Sequence, residues 1–152
     1  LQKKCTAYHQ QLVSLLPVKT KKIQVRKRYF NYLLVSHQQN IYIRKRTEND
    51  IWQNLHEFIL IETEAPADIT LLQSTNAFRR IFGQTAYEIE QISAAFRQQL
   101  THQTIHSQFI NISVQQALPL PGYLFVPRSS LNNYAFPKTI TSFLESNRLR
   151  LF

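Results

Sequence analysis

The stretch from Ile41 to Thr63, IYIRKRTENDIWQNLHEFILIET, constrains the fold more than any other part of the chain. Ile41, Tyr42 and Ile43 open a predicted strand, Thr47 to Asp50 form a polar turn, and Phe58 to Ile61 rebuild an apolar, β-prone run behind the only tryptophan, Trp52. The layout places one wide side chain between two strands. The preceding run, Ile23 to Ser36, reads as a longer strand, polar at Arg26, Lys27 and Arg28 and buried towards Leu33 to Val35. His37 to Asn40 turn it back, so Ile41 to Arg46 is its expected antiparallel partner. That pairing would set Arg26 or Arg28 close to Arg44 or Arg46, a cluster of like charges that solvent or phosphate must screen.

Downstream, Asp68 can cap a helix running through Phe82, with Ile69, Leu72, Ala77, Ile81 and Phe82 as its apolar stripe and Gly83 as its stop. Tyr87 to Phe96 and Ile105 to Val114 read as strands joined by a polar corner, Arg97 to Thr104. A short edge strand is expected at Tyr123 to Val126 and a brief helical turn at Leu131 to Ala135. Pro137 suits the first position of a C-terminal helix carrying Ile140, Phe143 and Leu144. This order of strand-rich and helical segments gives an α+β class, a mixed sheet with helices packed on it. Ahead of it, Leu1 to Leu16 holds a short helix-compatible segment, and Pro17 with Lys19, Lys21 and Lys22 makes a stiff basic connector. The expected boundary therefore divides residues 1–22 from a domain at 23–152.

Charge separates the chain in the same place. The formal charge is +9, and residues 1–47 hold eleven of the 18 lysines and arginines and none of the nine acids. Two readings of this basic front are open: a surface that attracts a polyanion such as a nucleic-acid backbone, or a solvated face that keeps the protein soluble. Aromatic and polar side chains interleaved with the charges favour the first. With one cysteine, Cys5, there is no internal disulfide, and with no long apolar run no membrane span is expected. A reducing, cytoplasmic setting fits that usage.

The motifs of several chemistries are missing. His102 and His106 are the only close histidines, no acid lies near them in sequence, no nucleophile elbow of the GxSxG type occurs, and no glycine-rich loop can cradle phosphate. Glu57, Glu62 and Glu64 cluster, as do Glu88 and Glu90, and are read as solvated or salt-bridged surface acids. The predicted helix after Asp68 carries Arg79 and Arg80 and no further carboxylate, whereas metal-assisted phosphate hydrolysis needs several converging ones.

With these residues in view, the chain resembles the C-terminal domain of the bacterial A/G-specific adenine DNA glycosylases, the MutY family. The carriers are LPVKTKKIQVRKRYF, YIRKRTENDIWQNLHEFILIET, LTHQTIH and NNYAFPKTI. The resemblance implies a Nudix-like (MutT-like) fold without a catalytic Nudix box, since Ile61 to Gly83 lacks the glycine-led helix with its arginine and glutamates. It implies that residues 1–22 are the end of an iron–sulfur region and its connector. Cys5 would be the fourth ligand of a 4Fe–4S cluster belonging to a longer parent enzyme, whose N-terminal catalytic domain excises the adenine. This chain alone is then expected to hold no cofactor and to be catalytically inert.

The implied role of residues 23–152 is to recognise 8-oxoguanine opposite adenine in double-stranded DNA during base excision repair, as a monomer. Leu100, Thr101 and His102 match the family's Phe-Ser-His recognition corner. Guanine presents N7 as an acceptor, whereas 8-oxoguanine carries a hydrogen there and an added oxygen at C8, and a hydroxyl such as that of Thr101 can answer either. Leu100 could act as an apolar wedge and His102 could donate to a phosphate. An ordinary hairpin turn with local hydrogen bonds is the alternative for this corner. Lys19, Lys21, Lys22, Arg26, Arg44 and Arg46 are the expected DNA-backbone contacts, with the last two held outward, while Trp52, Tyr29, Phe30 and Tyr32 are expected in the core. The alternative functions are a residual Nudix hydrolase of oxidised nucleotides and a protein-interaction module.

Overall fold

A computed structural model describes residues 24–150, so the expected helix-compatible segment, the lysine connector and Cys5 lie outside the described residues. The element order is β1 (Arg26–His37), β2 (Asn40–Lys45), β3 (His56–Glu57), β4 (Ile59–Thr63), α1 (Ile69–Ser74), α2 (Asn76–Phe82), β5 (Tyr87–Ile92), β6 (Phe96–Gln99), β7 (Gln103–Val114), β8 (Leu124–Pro127), a 3-10 turn (Arg128–Asn133) and α3 (Lys138–Arg150). The strands form one mixed sheet of eight with helices on both faces.

β1 is the centre. It pairs in parallel with β7 from Arg26 opposite Gln103 to Ser36 opposite Ser113, and antiparallel with β4 on its other edge. The expected β1–β2 hairpin forms, but only Ser36 with Ile41 and His37 with Asn40 pair across it. β2 then diverges to pair with β8 and β3. A strand buried on both faces explains the unbroken apolar run at the end of β1. Phe30, Tyr32 and Leu34 point to one face, where Ile140 and Phe143 of α3 cover them. Leu33 and Val35 point to the other, under Leu72, Phe78 and Phe82 of α1 and α2. On the first face Phe143 stacks on Phe109 at 4.0 Å between ring centroids, a contact of about 0.5–1.5 kcal/mol beyond its buried area.

The helix expected from Asp68 to Phe82 is instead two short helices. Thr75, extended at φ −72° and ψ 148°, ends α1 and caps α2. Asp68 caps as expected, its carboxylate accepting from the Leu71 N–H at 2.8 Å, and Gly83 at φ 54° stops α2. Of the expected stripe, Leu72 and Phe82 are buried, Ala77 is exposed and Phe78 takes its place in the core. Phe30, Tyr32 and Phe58 are fully buried as core aromatics. Trp52 is only half-buried, edge-on to Phe30 at 5.8 Å, in a turn where its φ is +61°.

Candidate nucleic-acid interface

The corner is the tip of the β6–β7 hairpin. The Leu100 N–H donates to the Gln103 carbonyl at 2.8 Å, and the Thr104 hydroxyl donates to Gln99 Oε1 at 2.8 Å, closing the turn from inside. Because β7 runs beside β1, the His102 carbonyl accepts from the Arg26 N–H at 3.1 Å. The corner is thereby brought to the point where the basic front enters the sheet. Thr101, His102, Arg26 and Lys27 are exposed, as is Arg97, three residues before Leu100 on the opposite arm. Lys27 and Arg97 were not singled out in the sequence. Hairpin pairing about the corner, which sets Arg97 opposite His106, was the signal available for Arg97.

Leu100 departs from expectation. Its half-buried side chain packs on the α3-side core, so it anchors the corner and does not project as a wedge.

Arg44 and Arg46 also require correction. Neither is held outward, because seven charged side chains alternate in sign through the base of the turn: Glu62, Arg28, Asp50, Arg46, Glu57, Arg44 and Glu48. Arg28 grips Glu62 through Nε at 2.6 Å and Asp50 through Nη2 at 2.8 Å. Arg46 bonds Asp50 at 3.1 Å and Glu57 at 2.6 Å, and Arg44 bonds Glu57 at 2.8 Å and Glu48 at 3.0 Å. The Arg46 side chain is 4% exposed and Glu57 0%, so Glu57 is no surface acid. The expected clustering of Arg28 with Arg46 does occur, with carboxylates as the screen in place of solvent or phosphate. Phe30 lies beneath both guanidiniums, at 4.8 Å from Arg28 and 5.9 Å from Arg46.

These bonds hold the charges in place. The Glu62 hydrogen bond raises the Arg28 pKa against the cost of burial, with Asp50 adding to it. The hydrogen bond from Arg28 depresses the Asp50 carboxyl below its ordinary value. Burial works against the Arg44 charge, yet Glu57 and Glu48 outweigh it and raise its pKa. Burial beside Glu57 pushes the Tyr32 hydroxyl well above its usual range. Arg28 also reaches Gln103 Oε1 at 3.4 Å, so the charged chain touches the first residue of β7, next to the corner.

Hydrolytic chemistry has little to work with here. Glu48, Asp50, Glu57 and Glu62 are bound to guanidiniums. α1 and α2 carry no carboxylate at all, and Arg79 and Arg80 occupy the last turn of α2. Among the described residues no group of three or more His, Cys, Asp or Glu side chains is placed to hold a metal ion.

A protein-family model described as a NUDIX domain matches residues 31–146. No curated protein matches the chain in sequence. Among solved structures, the C-terminal domain of mouse MUTYH, crystallised with human PCNA, superposes with a TM-score of 0.63 at 15% identity, over 81% of this chain and 90% of that one. The MutT protein of Methanosarcina mazei Go1 gives 0.62 at 13% identity, over 85% and 99%. The E. coli ORF135 protein gives 0.61 at 12% identity, over 88% and 94%. At these identities the superpositions establish the fold and the family model establishes the kinship: this chain belongs to the NUDIX domain family, with the family's mixed sheet between helices and no acidic helix at α1 and α2.

Proposed function

We propose that the chain is a DNA-binding lesion-recognition domain of an A/G-specific adenine DNA glycosylase, reading 8-oxoguanine opposite adenine in base excision repair. The observation that carries this reading is the exposed Thr101–His102 tip beside Arg26, Lys27 and Arg97, at the point where the basic front joins the sheet. Five donors at one rim suit a phosphate backbone, and a hydroxyl at the apex suits a base edge. Thr101 can accept from the N7 hydrogen of 8-oxoguanine, whereas opposite guanine it must turn and donate to N7. Discrimination follows if a second acceptor holds the hydroxyl hydrogen, leaving only the lone pairs for the base. Lys19, Lys21 and Lys22 would continue the phosphate track, while Arg44 and Arg46 hold the scaffold beneath it.

Excision itself is assigned to a catalytic domain preceding this region in a longer cytoplasmic enzyme, with Cys5 as the last ligand of its 4Fe–4S cluster. The single thiol of this chain cannot hold such a cluster by itself.

The test is fluorescence anisotropy of the 152-residue chain on duplexes holding 8-oxoguanine:A or G:A. Thr101→Ala is expected to narrow the preference for the lesion about fivefold or more, in line with ~1–3 kcal/mol per good base contact. Equal loss on both duplexes would remove the readout role. A residual hydrolase is the second reading, favoured by the similar TM-score to MutT. Magnesium-dependent release of pyrophosphate from an oxidised guanine triphosphate would establish it. The engagement of four acids with arginines and the lack of carboxylates in α1 and α2 support the binding role instead.

A further inference from the structure

A cavity of about 490 Å³ opens between α3, the 3-10 turn and the hairpin end of β1 and β2. That size lies in the range of small-molecule pockets, roughly 300–1,000 Å³. It is remote from the corner, since Leu34 on its wall lies eight residues along β1 from Arg26, roughly 25 Å at the rise of a strand. Its floor reaches the core through Leu34, Ile41, Leu131 and Phe143, each buried. Gln91, Asn111 and Asn147 bring three carboxamide residues to the walls, and Leu144, Arg128 and Arg148 complete the lining.

The charge of this cavity sets it apart. Arg28, Arg44 and Arg46 are each bound to two carboxylates, whereas among the described residues no carboxylate lines this space. The partners of Arg128 and Arg148 here are neutral oxygens. Arg128 Nη2 donates to the Ser36 hydroxyl at 3.1 Å, the Arg128 backbone N–H donates to the Gln39 carbonyl at 2.9 Å, and Arg148 donates to Asn132 Oδ1. The Arg128 backbone and guanidinium are thus each held by a neutral oxygen, with no carboxylate partner among the described residues. A positioned cation over an apolar floor, with paired amide donors and acceptors between, is complementary to a flat ring bearing an anion.

We propose that this cavity binds a small organic anion, a heteroaromatic ring carrying a phosphate or carboxylate, with the anion on Arg128 and Arg148 and the ring against Phe143 and the carboxamides. This site is independent of the DNA-binding corner and stands or falls without it.

Calorimetric titration of the 152-residue chain with guanosine 5′-monophosphate, adenosine 5′-monophosphate and indole-3-acetate tests it, with uncharged guanosine as the control. Amide NMR shifts locate the binding. At least one anionic probe is expected to bind with a submillimolar Kd, with shifts on Leu34, Asn111 and Asn147. Guanosine is expected to bind about tenfold or more weakly than its monophosphate. Arg128→Gln should weaken the anion about tenfold or more. Gln91→Glu, on an exposed edge strand where folding is not at risk, should weaken it by placing a negative charge on the wall. The proposal is overturned if none of the anions binds at millimolar concentration, if both variants leave the affinity unchanged, or if the shifts centre on Thr101 to Gln103.

Discussion

At the scale of single residues, Glu57 shows how tertiary context rewrites the meaning of a charge. It is fully buried between Arg44 and Arg46, so the neutral isostere would leave two guanidiniums short of their shared anion. Glu57→Gln is expected to cost about 3–5 kcal/mol of unfolding free energy in urea titrations, as for breaking a buried pair from one side. Two windows of acid sensitivity follow from the same neighbourhood. Burial lowers the pKa of His56, whose Nδ1 finds no hydrogen-bond partner among the described residues. The unfolded chain therefore takes up that proton first, and stability falls as pH drops from about 6.5 through the lower folded value. Asp50 is depressed by its bond from Arg28, and Glu48 by a hydrogen bond from its own backbone N–H. Their contribution is complete above the ordinary carboxylate range and is lost as pH falls below about 4 through the depressed values. Denaturation midpoints followed between about pH 8 and 3 should decline in these two steps, with His56→Gln flattening the upper one.

Among the elements, the break at Thr75 has a geometric reason. Six residues of continuous α-helix turn Leu72 and Phe78 roughly 120° apart, so one straight helix could not aim both at the sheet. Interrupting it at Thr75 brings Leu72, Phe78 and Phe82 onto one core. The Thr75 hydroxyl serves both fragments, donating to the Leu72 carbonyl at 2.7 Å and accepting from the Phe78 N–H at 3.2 Å. Thr75→Ala removes both bonds and is expected to cost about 1 kcal/mol, within the ~0.5–2 kcal/mol typical of removing a cap, as a lower midpoint with unchanged slope in chemical denaturation. In the β6–β7 hairpin a local turn and a recognition tip are compatible. The inward bonds of Gln99, Leu100 and Thr104 rigidify the corner while Thr101 and His102 remain exposed.

For the whole molecule, the one-sided charge is what a partner meets first. Eleven of the 18 basic residues lie in residues 1–47, but Arg28, Arg44 and Arg46 among them are bound to carboxylates inside the fold. The DNA-binding reading therefore places the salt dependence of duplex affinity on the lysine connector, Arg26 and the rim of the corner. Replacing Lys19, Lys21 and Lys22 with alanine is expected to lessen the slope of log affinity against log salt by about one for each phosphate that is no longer neutralised. An unchanged slope in salt-titrated anisotropy would take those lysines off the DNA.

The sequence by itself determined the strands β1, β2 and β4, the cap at Asp68, the stop at Gly83, the C-terminal helix and the lack of carboxylates from Ile69 to Phe82. These are matters of local pattern and residue inventory, which any fold must obey. Only the tertiary structure decided that β7 lies parallel to β1, setting Gln103 beside Arg26 and the corner beside the basic entry. It alone decided that Glu57 is buried, that Arg44 and Arg46 are bound to it and that Arg128 and Arg148 share a cavity with no acid among its described lining residues. Burial and partnership between residues far apart in the chain follow from which surfaces pack together, and no local spacing encodes that choice.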